Sequence, residues 1–507
     1  MGIGASLSGK HVVLTGVTGF VGKVFAVLLL DRFPEIGRLT LLIRGGREGA
    51  VARFERIADT SPAFRPLKDR HGADLGEYLA DRVQVLDADL LKPGLGLDPS
   101  SRSALSDADA FVHCAGVTDF DPDPKKALDT NTLGALAVAE LARHARAPFL
   151  HVSTCYVAGT ADGRVSESLN VGVSPNGTRF DPKSELDRVL QLIRKPKRQD
   201  RIERGRAAAL ELGWPNIYTW SKGLAEHLLA GMPGLDLTIV RPSIVECAAS
   251  FPFPGWNEGI NTAGPLAWLI STAFRRLPAA PDHRFDVVPV DLVARGMLVT
   301  LAAALQRRAP RVVQLASSDV NPLTFGRTIE LTGLGLRRYT RKGNGTALEK
   351  RWFRHLDPVA GTGGWFVPFE VRGLVPSVRD GLDALLEREL PESAKSRLST
   401  WRRSLERMSG DLDQIDDMLT IYAPFIAGYD WEFETTAVRA LSDALPADER
   451  DLAYDIAGLD WRSYWIDVEF PGLMTWSIPI LRGREVPVDP ASSPPLRLVQ
   501  SQRAASK

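Results

Sequence analysis

A doubly wound α/β fold is what this sequence predicts, a mostly parallel sheet with helices on both faces. Three observations predict it. Apolar runs of strand length recur through the first half of the chain, stretches with helical spacing separate them, and the first run leads straight into a glycine-rich turn. Strands that are apolar on both sides need cover on both sides, and alternating helices supply it.

The elements follow in order. HVVLTG (11–16) opens the sheet, and RLTLLIR (38–44), VQVLDADL (83–90), AFVHCAG (110–116), FLHVST (149–154) and LTIVRPS (237–243) continue it. A first helix starts near Gly19, runs apolar through Val24, Phe25, Leu28 and Leu29, and stops before Pro34, because proline disfavours the helical conformation in its predecessor. A second covers Lys125 to Arg146 and ends ahead of Pro148. The segment from Gly159 to Pro215 breaks the strand–helix rhythm and reads as an insertion. Past residue 320 the pattern shifts to amphipathic stretches such as 380–408 and a tryptophan-rich close. The chain therefore divides into a sheet-containing domain, 1–340, and a smaller, mainly helical one, 341–507. The last stretch, VPVDPASSPPLRLVQSQRAASK, is Pro/Ser-rich and expected to fray.

A length of 507 residues exceeds one ordinary core. With 62 basic against 62 acidic side chains there is no bulk attraction to nucleic acid, and no nucleic-acid partner is expected. No uncharged apolar run reaches the roughly 18 residues of a membrane span, which leaves only peripheral contact with a bilayer through a local patch. Cys114, Cys155 and Cys247 lie far apart, so neither a disulfide framework nor a metal site is indicated, and a reducing cytoplasmic setting fits. His113 and His151 fall in strands and read as packing residues. Nothing in the sequence addresses oligomeric state.

The stretch LTGVTGFVGK (14–23) spaces glycines three apart directly after the first strand. Glycine at 16 allows a tight turn, at 19 close approach of backbone to a pyrophosphate, and at 22 close packing of helix on sheet. The helix start then offers unpaired amides to phosphate oxygens. Thr15, Thr18 and Phe20 are interleaved with these glycines and go with them to a dinucleotide loop. At the end of the second strand stands Arg44, where a basic residue suits the 2'-phosphate of NADPH better than the free ribose of NADH. Asp89 and Leu90 follow the third strand, where a carboxylate can accept from an adenine amino group or merely close a turn.

IYTWSKGLAEHLL (217–229) places Tyr218 and Lys222 four apart at the start of a helix, on one face. A phenol has a pKa of about 10, and a neighbouring ammonium lowers it toward the working range. Upstream, FLHVST ends with Ser153 and Thr154 at the carboxyl edge of the sheet, where ligands of α/β folds bind. Cys155 alternates away from Thr154 along the strand and reads as a buried, inert thiol.

TGxTGFxG, the HVSTCYV strand end, YxxxK and VRPSIV together resemble an extended short-chain dehydrogenase/reductase. More closely, STCYVAG (153–159), YTWSKGLAE (218–226), FPFPGWNEGINTAGP (251–265), DVVPVDLV (286–293) and DWRSYWIDVEFPGL (460–473) are similar to the fatty acyl-CoA reductases of the male-sterility type. That resemblance implies Thr154, Tyr218 and Lys222 as the active triad, with Tyr218 and Lys222 also touching the cofactor. It implies NADPH held by the glycines and Arg44, and a long-chain acyl-CoA or acyl carrier protein thioester reduced through an aldehyde to a primary alcohol. The alternatives are a two-electron enzyme that stops at the aldehyde and a sterol or sugar-nucleotide enzyme on the same scaffold. The chain lacks the membrane-spanning tail of many eukaryotic members, which points to a soluble, bacterial-type enzyme. The resemblance extends into 341–507, which would contribute to the acyl site.

Two further stretches carry expectations. RVLQLIRKPKRQDRIERGR (188–206) holds eight basic and two acidic residues, either a solvated helix surface or a patch attracting CoA phosphates or an acidic carrier protein. FPFPGW, PLAWLISTAF (265–274) and SYWIDVEFPGLMTW (463–476) are either core or the lining of an acyl channel.

Overall fold

The computed structural model describes residues 2–194, 197–260, 263–270, 276–277, 279–344, 357–361, isolated positions from 380 to 425, 428–490 and 495–498. Most of the amphipathic stretch 380–408 and the last four residues of PLAWLISTAF lie outside them.

Seven strands form the main sheet: β1 (His11–Thr15), β2 (Arg38–Ile43), β3 (Val83–Asp87), β4 (Ala110–His113), β5 (Phe149–Val152), β6 (Leu237–Pro242) and β7 (Val312–Leu315). Their spatial order is β7-β6-β5-β4-β1-β2-β3, and every neighbouring pair runs parallel. This is the Rossmann-type doubly wound arrangement. The chain builds outward from β1 in one direction, then crosses to β4 and builds in the other, so a crevice opens at the carboxyl ends of β1 and β4. Six of the strands coincide with the apolar runs of the sequence. The seventh, Val312–Leu315, carries Gln314 inside its short run, which breaks the apolar pattern.

Among the described residues, the helices on the sheet include α1 (Phe20–Arg32), α2 (Gly134–Ala145), α3 (Ile217–Ala230) and α4 (Val290–Leu305). α1 packs against α4, and α2 against α3. Because α1 is covered by the sheet and by α4, every residue from Gly22 to Asp31 is buried, and the helix is apolar almost all round. Alternate strand residues Val13, Phe111, Phe149 and Ile239 share one core with Val138 and Ala142 of α2 and Leu229 of α3. The insertion supplies a second core, in which Val189, Ala208 and Trp214 enclose Trp220 and Leu224 of α3. α3 is therefore held from both sides.

The chain separates into two compact units, Met1–Gly264 with Arg284–Leu323 and Trp431–Lys507, and Pro265–His283 with Thr324–Asp430. Residues 431–490, grouped with 341–430 on sequence, pack in the unit that holds the sheet. Trp431–Phe433 pairs with Gly163–Val165 of the insertion, and Tyr454 Oη donates to the Ala316 carbonyl at 2.8 Å. In the second unit, Val359–Ala360 pairs with Arg276–Leu277, and the helix Phe325–Tyr339 carries Gly333 where Pro358 leaves no room for a Cβ.

The expectation of a frayed C-terminal stretch is corrected where that stretch is described. Asp489 accepts from Arg65 Nη2 at 2.7 Å and Lys68 Nζ at 3.2 Å, and the Leu498 amide donates to Glu55 Oε1 at 2.7 Å. Low hydrophobicity made the stretch look loose, but charged partners on the 50–82 segment hold it.

Candidate active site

The glycine loop follows β1. Gly16 has φ +85°, and a Cβ there would lie 2.6 Å from the Ala115 amide nitrogen, so only glycine suits the turn. A Cβ on Gly22 would stand 2.3 Å from the Gly16 carbonyl oxygen, which is the close helix-to-loop packing expected of that position. At Gly19 a Cβ would touch only the Gly16 oxygen, at 3.4 Å, leaving the backbone approachable. Gly19 starts α1 with no side-chain cap and no acidic residue in the first turn. The amides of Phe20, Val21 and Gly22 thus have no intrahelical acceptor and face an anion-attracting helix end.

The neighbours divide. Thr15 is buried, with its hydroxyl bonded to His113 Nδ1 at 2.8 Å and accepting from the Ala115 amide at 3.3 Å, so it braces β1 against β4. Thr18 is half-buried at the loop's edge, and Phe20 packs toward Trp256 with ring centroids 5.2 Å apart. Arg44 is exposed at the end of β2, and its backbone carbonyl accepts from Arg53. Asp89 closes a turn by accepting from the Leu91 amide at 3.1 Å, and Leu90 packs beside Gly134 against the core. The carboxylate that fixes the β2 turn is Asp87, which accepts from the Gly45 amide at 3.0 Å. The sequence reading missed it because nothing local links residues 45 and 87.

Tyr218 and Lys222 lie one turn apart on α3. Asn216 caps that helix through Oδ1 on the Thr219 amide at 2.8 Å, and the Phe120 carbonyl takes the Tyr218 amide at 3.2 Å. Thr154 follows β5, nearly fully buried, beside the Tyr218 side chain. Lys222 is 4% exposed and donates from Nζ to the Val152 carbonyl at 2.9 Å. Burial pushes the Tyr218 phenol up to about 12, with neighbouring Thr154 pulling the other way, and burial lowers the Lys222 ammonium to about 8. The expected lowering of the phenol by its neighbouring ammonium is therefore overturned: desolvation wins, and the ammonium is committed to the strand end.

Asn131 completes the floor of the site and was not foreseen. It lies in a wide helical turn, Leu128–Leu133, that precedes α2. Its Oδ1 accepts from the Val117 amide at 2.7 Å, and its Nδ2 donates to the Val117 carbonyl and to Ser221 Oγ, each at 3.0 Å. Gly116 stands beside it, where a Cβ would lie 3.0 Å from Lys222 Nζ. Its sequence signal was slight, a lone asparagine in an otherwise helical run.

Cys155 is fully buried, donates to the Arg241 carbonyl at 2.9 Å, and burial holds its thiol well above the usual range. Alternation along the strand had pointed to such an inert thiol. His113 and His151 stack 5.6 Å apart beneath the site, and burial holds both rings neutral. In the basic stretch, Arg188 pairs with Glu185 at 2.8 Å, Arg201 with Asp123, and Arg206 with Asp121 at 2.9 Å. Arg194, Lys197, Arg198 and Arg204 are exposed. Lys195 lies outside the described residues.

Comparison with known proteins places this arrangement. The family model described as male sterility protein matches residues 14–297, more than half of the chain. Fatty acyl-CoA reductase 2, chloroplastic, of Arabidopsis thaliana is 26% identical over 96% of this chain and 80% of its own length. The alcohol-forming fatty acyl-CoA reductase of Simmondsia chinensis is 26% identical over 92% of this chain and 97% of its own. Among solved structures, the terminal R domain from the myxalamid PKS-NRPS biosynthetic pathway shares the fold, with a TM-score of 0.53 at 17% identity over 94% of this chain and 92% of that one.

Proposed function

Because the chain belongs to the male sterility protein family and is an oxidoreductase of the fatty acyl-CoA reductase type, we propose that it uses NADPH to reduce a long-chain acyl thioester, carried by CoA or an acyl carrier protein, through the aldehyde to the primary alcohol. The observation that carries the reading is the placement of Thr154 beside the Tyr218 phenol at the carboxyl edge of the sheet, two strands from the Gly16 loop.

The loop fits a dinucleotide: Gly19 leaves its backbone bare, the first amides of α1 lack acceptors, and Arg44 offers an exposed guanidinium at the β2 end. NADPH, when bound, supplies hydride to the carbonyl carbon. Thr154 and Tyr218 donate hydrogen bonds to the carbonyl oxygen as it gains negative charge. A phenol held at about 12 stays protonated at neutral pH, which suits a donor. In the first stage the hemithioacetal expels CoA as its thiol. In the second, Tyr218 passes its proton to the alkoxide that forms from the aldehyde. Lys222 would hold the ribose hydroxyls of the bound cofactor. For a long chain, each buried methylene contributes about 0.8 kcal/mol, so the reading requires an apolar channel for it. No described helix is long and apolar enough to cross a membrane, and the reading places the reaction in the cytoplasm.

The test is stoichiometric. Purified protein with palmitoyl-CoA should oxidise two NADPH per CoA released and yield alcohol. One NADPH with aldehyde accumulating would replace the four-electron reading by a two-electron one, and no turnover of CoA or carrier-protein thioesters would overturn both.

A further inference from the structure

Two arginines of the insertion reach aspartates on the segment that borders the active site. Arg201 and Arg206 lie on the helix Arg198–Glu211. Arg201 forks onto Asp123, with Nε 3.2 Å from Oδ1 and Nη2 on Oδ2, and the two side chains are only 23% and 15% exposed. Arg206 Nη2 binds Asp121 Oδ2 at 2.9 Å. Asp121 and Asp123 belong to a strap, residues 117–123, that leaves β4. Its start is fixed at Val117, where Asn131 takes the amide and meets the carbonyl. Its end is fixed where Asp123 Oδ1 accepts from the Lys125 amide at 3.0 Å.

Between these fixed points stands Phe120. Its carbonyl accepts the Tyr218 amide, a first-turn donor with no partner inside its own helix. Its ring lies 6.1 Å from the Tyr218 ring, tilted by 56°. The same residue thus fixes the start of the catalytic helix and borders the phenol.

We propose that the strap 117–123, clipped by Arg201 and Arg206 to the insertion, sets the position of Tyr218, so that Asp121, Asp123, Arg201 and Arg206 are positioning residues and Phe120 is the contact through which they act. The inference rests on the reductase reading and changes what the basic stretch is for. A patch that merely attracts CoA phosphates acts on the thioester's KM alone. A strap that aims Tyr218 acts on kcat, and equally for thioester and free aldehyde, because the same phenol serves both stages. A displacement of about 1 Å at a reacting group costs up to the order of a hundredfold in rate.

The experiment uses the full chain with Arg201→Met, Asp123→Asn, and the swap of Arg201→Asp with Asp123→Arg. Steady-state rates are taken with palmitoyl-CoA and with hexadecanal, and amide hydrogen exchange is followed in peptides spanning 214–224. For each single variant kcat falls on the order of tenfold with both substrates, while KM for palmitoyl-CoA stays within about twofold. Exchange at the Tyr218 amide accelerates, and the swap restores most of both. A raised KM for palmitoyl-CoA with hexadecanal turnover spared, or unchanged protection at the Tyr218 amide, overturns the proposal. Should Arg201→Met fail to fold, Arg206→Met, whose pair is more exposed, carries the same expectations. If wild-type protein reduces neither substrate, the reductase reading fails, and hydrogen exchange still decides whether the strap holds Tyr218.

Discussion

Lys222 Nζ donates to the Val152 carbonyl at 2.9 Å, tying the ammonium of α3 to the last residue of β5. That bond holds a nearly fully buried cation one helical turn from Tyr218 and one residue before the Ser153–Thr154 pair. Desolvation lowers its pKa to about 8. The charge on which ribose binding is proposed to depend is therefore lost as pH rises through that value. We expect kcat/KM, which reports groups of the free enzyme, to fall above about pH 8. Lys222→Arg, with a guanidinium that does not titrate, should move that limb to higher pH. A pH–rate profile of both proteins checks it.

Tyr218→Phe removes the proposed proton donor but keeps the ring beside Phe120. Alcohol formation should drop on the order of a thousandfold, with circular dichroism unchanged. Thr154→Ala removes one proposed donor to the developing oxyanion and should cost on the order of a hundredfold in kcat.

The glycines of the loop should fail in different ways. Gly22→Ala drives a Cβ to 2.3 Å from the Gly16 carbonyl, so either α1 or the loop must shift, and stability should fall by about 1–3 kcal/mol. Gly19→Ala meets only one atom, at 3.4 Å, and should leave the melting temperature nearly unchanged while weakening NADPH binding. Thermal denaturation and a nucleotide titration of both variants separate the two effects.

Arg44→Asp sets a carboxylate where a 2'-phosphate is proposed to lie. The ratio of kcat/KM for NADPH to that for NADH should fall on the order of a hundredfold, mostly through loss on NADPH. An unchanged ratio would remove Arg44 from the cofactor site.

Glu246 and Glu469 are fully buried, and burial raises both above the usual carboxyl range, Glu246 further through the charge of neighbouring Glu469. A carboxyl whose folded pKa exceeds its unfolded value contributes stability at low pH and loses it as pH rises through the folded value. The melting temperature should therefore decline from about pH 5 upward. Glu469→Gln, which keeps a donor without ionising, should flatten that decline in a thermal scan across pH.

What was legible in the sequence was legible because it is local. Six strands, the span of α1, the glycine spacing and the common face of Tyr218 and Lys222 all rest on periodicities of two or 3.6 residues, or on backbone freedom at single positions. The structure holds the glycine turn at φ +85° and the Tyr–Lys pair one turn apart on α3, as that spacing requires. Asp87 on Gly45, Asn131 beneath Val117, Phe120 on Tyr218 and Glu55 on Leu498 join positions from 14 to 443 apart, and no short pattern encodes them.

The amino-acid order by itself determined a doubly wound sheet, a phosphate-ready helix start and a phenol–ammonium pair, since each depends on neighbours along the chain. Only the tertiary structure decided which way the charges act. Burial, which no composition reveals, raised the Tyr218 phenol and lowered the Lys222 ammonium. Chain folding brought Arg201 and Arg206 to aspartates some 80 residues away and turned part of a basic stretch into a fastening for the active site.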